Sequence, residues 1–328
     1  RVPRKAEGLN MQNKGEGPMR FIITGGTGTI GRALASDLLS EDHEVIVLSR
    51  NPVKGKAFLP PETRIVGWDA KTAEGWVEWV EGAAAIVNLA GARLAGPNPF
   101  KLRWTAKRKN LIRDSRLHVG QAVSQAVEAA SKKPKVVVQA SGINYYATGD
   151  EIATEETLPG DGFLSEVCTT FWESSTAAVE KLGIRRVIIR TGPVLHPESG
   201  PLPPMVLQSK LFFGGPLGSG RQWFSWIHPA DVVAGIRFLM DHPEANGAFN
   251  LCAPHPLTNA EFSKVLGQVL HRPSTFRVPS FALRWLFGEM STTLLDGVRA
   301  VPARLQSLGY PFRFPEAETA LKDLLASS

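Results

Sequence analysis

Cysteine is scarce in this chain: Cys168 and Cys252 are the two present among 328 residues. They lie far apart and without metal-ligand spacing, so a disulfide framework is excluded, no metal site is expected and a reducing compartment is. Long apolar runs are also missing. No stretch approaches the roughly 20 residues needed to cross a bilayer, so no transmembrane segment is expected. Tyrosine is nearly as rare, with Tyr145, Tyr146 and Tyr310 the only three. No internal repeat or low-complexity segment occurs, which argues against solenoids and disordered tracts. Residues Arg1 to Pro18 are polar, basic and glycine-rich and lack the apolar core of a secretory signal. They read as a tail, a tag remnant or the residue of organelle import, and the folded part is expected from Met19.

What is present is an ordinary globule by composition, long enough for a domain of about 150 to 200 residues and a smaller companion. The net charge of +6 suits an enzyme of anionic cofactors as well as it suits nucleic acid or acidic lipid. Short apolar runs alternate with helical patterns. Strands are predicted at Arg20 to Thr24, Val45 to Leu48, Arg64 to Gly67, Ala83 to Leu89, Val136 to Ala140 and Arg186 to Ile189. Helical stretches fall at 74–80, 102–130 and 163–182. Continuously apolar strands separated by helices imply a parallel sheet buried on both faces, and hence an α/β, Rossmann-type doubly wound fold. The dinucleotide-binding domain is expected over residues 19–190. Residues 191–328 are expected to form a mixed substrate-side and helical region, within which 228–251 rejoins the sheet. Residues 191–227 read as loops and short elements, Pro229 to Met240 as a helix, and Thr258 to Glu261 as a capping box opening another.

Thr24-Gly25-Gly26-Thr27-Gly28-Thr29-Ile30-Gly31 lies directly between the first strand and the first helix. Glycines there let the backbone approach a pyrophosphate, at which the helix N-terminal amides point. Strand, glycines, helix and second strand follow in the order a dinucleotide site requires. Cofactor choice is read at the end of strand two, where NAD-binding chains carry a carboxylate for the ribose 2′-hydroxyl. Ser49-Arg50 stands there instead, with Arg32 just past the glycines. A guanidinium pairs with a 2′-phosphate where a carboxylate repels it, so NADP(H) is the expected cofactor.

The glycine turn, Asn88-Leu89-Ala90-Gly91 and Ser141 resemble the extended branch of the short-chain dehydrogenase/reductase superfamily. Arg103-Trp104, Ser115-Arg116, Tyr145-Tyr146, Trp172-Glu173, Arg190 to Leu195 and Gly218 to Asp231 are similar to its atypical "epimerase family protein" subgroup. The resemblance runs from Met19 to about Leu325 and implies a small C-terminal helical module. It adds Leu89, Ala90, Gly91 and Arg190 to the cofactor contacts expected at Gly25, Gly28, Thr29, Ile30, Gly31, Arg32, Ser49 and Arg50.

The superfamily's ordinary chemistry uses Tyr and Lys four residues apart on one helical face, the Lys charge lowering the phenol's pKa for proton exchange. Four residues beyond the three tyrosines stand Gly149, Asp150 and Phe314, so this chain has no such pair. Aligning Trp172-Glu173 with the family's helix puts Ser165 and Thr169 near the two positions. Tyr146 and Tyr145 are the substitute candidates for the catalytic acid, against a structural reading as loop aromatics packing over the cofactor, and by family position Ser141 is expected as a hydrogen-bond donor to the substrate or its carbonyl. Cys168 and His228 read as buried structural groups rather than a nucleophile and a base. From Lys101 to Arg116 there are seven basic residues and one acidic. That run reads as a helix with a solvated cationic face, since no groove-reading motif accompanies it and no nucleic acid is expected.

Two functions stay open. One is an NADP-dependent oxidoreductase or epimerase with non-standard acid-base residues and an unidentified small-molecule substrate. The other is a non-catalytic holder of NADP(H), a sensor or an accessory subunit of a larger assembly. The compartment is expected to be cytosol or an organelle matrix, mitochondrial or plastid.

Overall fold

The computed structural model describes residues 17–95 and 102–326. The N-terminal tail, apart from Gly17 and Pro18, and the start of the basic run at Lys101 lie outside the described residues. The chain opens with β1 (Arg20–Thr24), α1 (Thr29–Leu39), β2 (Glu44–Ser49), the short α2 (Pro52–Gly55), β3 (Arg64–Gly67), α3 (Val77–Val80) and β4 (Ala85–Asn88). It continues through α4 (Ala106–Ala129), β5 (Val136–Gly142), β6 (Gly149–Ala153), α5 (Phe163–Glu166), α6 (Ala178–Lys181) and β7 (Arg185–Thr191). Then come α7 (Leu202–Lys210), β8 (Trp223–Phe224), α8 (Pro229–Asp241), β9 (Gly247–Leu251), β10 (Leu257–Thr258) and α9 (Asn259–Leu270). The C-terminal part holds α10 (Ser280–Phe287), α11 (Thr292–Leu295), β11 (Val298–Ala300), α12 (Ala303–Ser307) and α13 (Ala317–Leu325).

Seven strands form one sheet in the order β3-β2-β1-β4-β5-β7-β9, every neighbouring pair parallel. The doubly wound α/β fold expected from the strand pattern is the one adopted. Because side chains alternate along a strand, the apolar runs supply two cores at once. Phe21, Ile23, Val45, Val47 and Val87 face α1 and α8, where Leu34, Leu38, Ile236 and Leu239 close the layer. Ile22, Ile46, Ile86 and Val137 face the other way, onto Val119, Val123 and Val127 of α4. A third apolar cluster, including Trp226, Phe262, Leu266, Phe314 and Leu321, holds the C-terminal module together.

Two elements depart from the sequence reading. The helix expected at 74–80 shrinks to α3, because the indoles of Trp68 and Trp76 both donate to the Thr72 carbonyl and hold that segment as a turn. The short elements expected within 191–227 are α7 and β8. The helix expected over 163–182 is broken: a wide, π-type turn at Val167–Glu173 and a tight one at Ser174–Thr176 separate α5 from α6. Hydroxyls cause part of this. Thr169 donates to the Ser165 carbonyl at 2.9 Å and Ser175 to that of Trp172 at 2.6 Å, competing with the backbone ladder.

Candidate cofactor site

The sheet order reverses between β1 and β4, and the crevice at such a point, beyond the carboxyl ends of the strands, is where an open α/β sheet binds ligands. Thr24, Asn88 and Gln139 build its floor. The Thr24 hydroxyl donates to Asn88 Oδ1 at 2.5 Å, and Asn88 Nδ2 donates to Gln139 Oε1 at 2.8 Å. Thr24 Oγ1 also accepts from the Ala90 amide at 3.2 Å. This buried polar row ties the ends of β1, β4 and β5 together directly beneath the glycines. Sequence reasoning missed it, because its partners lie 51 and 64 residues apart.

Glycine is required at the turn for steric reasons. Gly25 sits at φ 69°, and a Cβ there would lie 2.9 Å from the Ala90 nitrogen. A Cβ on Gly31 would come within 2.5 Å of the Gly26 Cα, so α1 could not pack so close to the turn. Gly28, the residue before α1, carries no side-chain cap. The leading amides of α1 therefore face the crevice, as anion binding requires.

Two adjoining clefts share Gly25, Gly28, Leu89 and Arg93. The smaller, about 320 Å³, runs past Thr29, Ile30 and Gly31 to Val194, His196 and Ser199. The larger, about 950 Å³, extends over Arg32, Ser49 and Arg50 and is lined by Ala90 and Gly91. Of the expected cofactor contacts all but Arg190 line one cleft or the other. The structure adds Asn51, Lys54 and Phe58 at the far end. Asn51 Oδ1 accepts from the Lys54 amide at 3.0 Å and so starts α2, which brings a further cation beside Arg32 and Arg50. Reading four residues past Arg50 would have found it. Asp69 and Asp114 also line the large cleft. The Asp69 carboxylate is held below its usual range by the Thr72 and Lys71 amides that donate to it.

The catalytic candidates gather behind the cleft in a buried network. Ser141 donates to Glu173 Oε1 at 2.7 Å. Arg190 grips the same carboxylate with two donors, Nε to Oε1 at 2.9 Å and Nη2 to Oε2 at 3.0 Å. Its remaining terminal nitrogen donates to the Tyr146 hydroxyl at 3.0 Å, which donates in turn to Asn250 Oδ1 at 2.7 Å. Tyr145 lies flat against the same guanidinium, 3.3 Å from Cζ to ring centre. Arg190 was expected against the cofactor; its charge is instead committed to Glu173, since a buried guanidinium needs a carboxylate. Burial pushes the Tyr146 phenol up to about 12, which makes it a poorer proton donor at neutral pH than a free tyrosine. Ser165 donates to the Tyr145 carbonyl at 2.8 Å. Cys168 is buried and its thiol is pushed up to about 11 by that burial. Glu173, which organises the network, stands in the Trp172-Glu173 pair, but nothing in the sequence marks it as the partner of Ser141 and Arg190.

The basic run departs from expectation more plainly. Arg103 and Lys107 are exposed, but most of its cations are also engaged within the protein. Arg103 donates to the Trp285 and Leu286 carbonyls, and Arg108 to those of Arg93 and Ala95. Lys109 pairs with Glu289 at 2.6 Å and Arg113 with Glu166 at 2.7 Å. Arg116 is buried under the Trp172 ring, 4.3 Å from its centre. The charge fastens α4 to the C-terminal module and to the loop after β4.

With this geometry in place the comparisons with known proteins become informative. The model of the NAD dependent epimerase/dehydratase family matches residues 21–252. The chain belongs to that family. A second model, a domain of unknown function (DUF1731), matches residues 278–324, the C-terminal module. Among family relatives, the chloroplastic "Epimerase family protein SDR39U1 homolog" of Arabidopsis thaliana is 36% identical over 313 residues, 94% of this chain and 88% of its own. An epimerase family protein of Staphylococcus haemolyticus is 38% identical over 309 residues, 93% of this chain and 99% of its own. The crystal structure of human epimerase family protein SDR39U1 (isoform 2) with NADPH superposes with a TM-score of 0.82 at 31% identity, covering 94% of this chain and 100% of that one. A UDP-glucuronic acid 4-epimerase from Bacillus cereus, solved with UDP-glucuronic acid and NAD, reaches a TM-score of 0.72 at 14% identity, which speaks for the fold alone. Among the described residues no helix is long and apolar enough to cross a membrane.

Proposed function

We propose that this family member binds NADP(H) in the paired clefts and acts as an atypical oxidoreductase or epimerase on a small molecule, without a Tyr-Lys proton relay. The observation that carries the cofactor reading is the set of three cations, Arg32, Arg50 and Lys54, lining the cleft where β2 ends. A 2′-phosphate carries about two negative charges, and three cations with no carboxylate from β2 favour it over a bare hydroxyl. The relative solved with NADPH supports the same choice. Bound there, the cofactor would supply hydride transfer. Ser141, with Glu173 behind it, would take the substrate contact, and Tyr145 and Tyr146 would shape that wall.

Titration calorimetry with NADP and NAD tests the cofactor choice. NADP is expected to bind at least about tenfold more tightly, and Arg50→Glu to erase that preference while leaving NAD binding nearly unchanged. Equal affinities in the unaltered protein would sink the reading.

A second reading has its own support. The hydrogen-bonding capacity of Ser141, Glu173, Arg190 and Tyr146 is largely spent within the protein, which is what a non-catalytic NADP(H) holder or accessory subunit of an assembly would tolerate. Ser141→Ala separates the two. Loss of cofactor-linked turnover with intact NADP binding favours the enzyme. Bound NADPH that is never oxidised by any supplied carbonyl substrate, together with copurification in a large complex, favours the holder.

A further inference from the structure

The C-terminal module exposes apolar side chains that the fold does not use. On α7 and the segment leaving it, Leu207, Leu211, Phe212 and Phe213 are each more than half exposed. Across from them, Phe281 and Trp285 of α10 are 74% and 76% exposed, with Phe276 and Leu286 beside them. Two observations join these into one face. Phe213 and Phe276 meet edge to face at 5.3 Å, and the two segments run side by side through amide-to-carbonyl bonds from Phe276 to Gly214, Val278 to Pro216 and Gly218 to Val278. Phe281 and Trp285 stand four residues apart and so share one side of α10.

The two segments that build this face carry charge of one sign. No Asp or Glu occurs in residues 199–230 or 262–288, whereas Lys210, Arg221, Lys264, Arg272, Arg277 and Arg284 do. All six are exposed, and none has a carboxylate partner among the described residues. Arg272 lies over the Phe212 ring at 4.9 Å, with one terminal nitrogen donating to the His271 carbonyl at 3.0 Å. Some cations elsewhere are paired, as Lys109 is with Glu289 and Arg237 with Asp37.

We propose that this face docks the protein onto an anionic lipid surface. Aromatic and leucine tips beside unpaired Lys and Arg are what the headgroup boundary of such a membrane accepts, the tips entering the apolar layer and the cations meeting phosphates. A protein partner would ask for directional complements. The main-chain groups joining the two segments are already bonded to each other, so the face offers no open strand edge for β-addition.

Co-sedimentation of the whole chain with vesicles tests this. Vesicles of phosphatidylcholine with about one third phosphatidylglycerol should capture the protein, pure phosphatidylcholine should not, and capture should collapse at high salt. The double variant Phe281→Ser with Trp285→Ser should lower capture about tenfold or more, and Arg277→Glu with Arg284→Glu likewise. These positions are exposed and outside the cofactor clefts, so NADP titration serves as the folding control. Three results would overturn the proposal: no capture by anionic vesicles at low salt, capture indifferent to both double variants, or a dimer in sedimentation velocity that Phe281→Ser with Trp285→Ser dissolves, which would assign the face to a second copy of this chain. Loss of a stoichiometric copurifying protein in the same variants, with vesicle capture absent, would assign it to a protein partner.

Discussion

Glu173 carries more of this structure than any other single side chain behind the cleft. It is 8% exposed, accepts two donors from Arg190 and one from Ser141, and lets the Arg190 charge stay buried between Tyr145 and Tyr146. Burial alone would lower the Arg190 pKa; the bonds and charge of Glu173 reverse that and raise it. The net worth of such a pair is small, but removing one partner strands the other, at about 3–5 kcal/mol. Glu173→Gln should therefore lower the urea midpoint strongly. The double change Glu173→Gln with Arg190→Gln should recover part of the loss, because no charge is left behind. Measured unfolding free energies that simply add would show that the two groups do not depend on each other. The same variants probe function, since Ser141 loses its carboxylate partner in both.

At the scale of elements, the close approach of α4 to the broken segment after α5 is the sharpest constraint. A Cβ on Gly120 would fall 1.8 Å from Ser175 Oγ and 2.4 Å from Ser175 Cβ. Gly120→Ala removes a flexible residue from a helix interior, which taken alone stabilises by up to about 1 kcal/mol. Here overpacking should win, with a net loss of about 1–3 kcal/mol, and Ser175→Gly in the same chain should restore much of it in thermal unfolding. A neutral Gly120→Ala would mean that the turn is free to move away. This contact also marks the limit of what the sequence displays. The sheet strands were legible because each is a short apolar run ending near glycine or a loop, and the Gly25–Gly31 turn because strand and helix flank it. The break within 163–182 was not, since a periodic apolar pattern carries no sign of a glycine 55 residues upstream in the chain against which Ser175 must pack. The Ser141–Glu173–Arg190–Tyr146–Asn250 network was hidden for the same reason: its members belong to β5, β7, β9 and the segments between, and only the strand order brings them together. Lys54, by contrast, was open to inspection, a short step past Arg50.

For the molecule as a whole, the question is what fastens the C-terminal module to the sheet domain, and the first turn of α8 supplies an answer that pH can read. Asp231 accepts the Arg313 and Phe314 amides at 2.8 and 2.9 Å. His228, the residue before α8, accepts the Ala230 amide on Nδ1 at 3.1 Å, stacks on Phe314 at 3.8 Å, and directs Nε2 at Asp323 Oδ2, 3.2 Å away. An Nδ1 that accepts must be unprotonated, so the folded state holds this imidazole neutral with its proton on Nε2. Burial pushes its pKa well below the ordinary value, with Asp323 opposing and Arg313 assisting. A histidine whose folded pKa is depressed gives stability that is fully present above about pH 6.5 and is lost as pH falls below it, because the unfolded chain takes up a proton that the folded chain refuses. The His228→Asn side chain keeps an oxygen that can cap Ala230 but has no proton to gain. Chemical unfolding at pH 7, 6 and 5 should find this variant less stable at pH 7, having lost the Phe314 stack. Its decline toward pH 5 should be shallower by up to about 1.4 kcal/mol per pH unit, the value of one proton. The other titrating groups are common to both proteins and cancel in the difference. Parallel declines would mean that His228 titrates alike in the folded and unfolded chains; a steeper decline in the variant would mean that His228 already carries its proton in the folded state, and that the module is held at this corner by an ion pair with Asp323 rather than by a neutral cap.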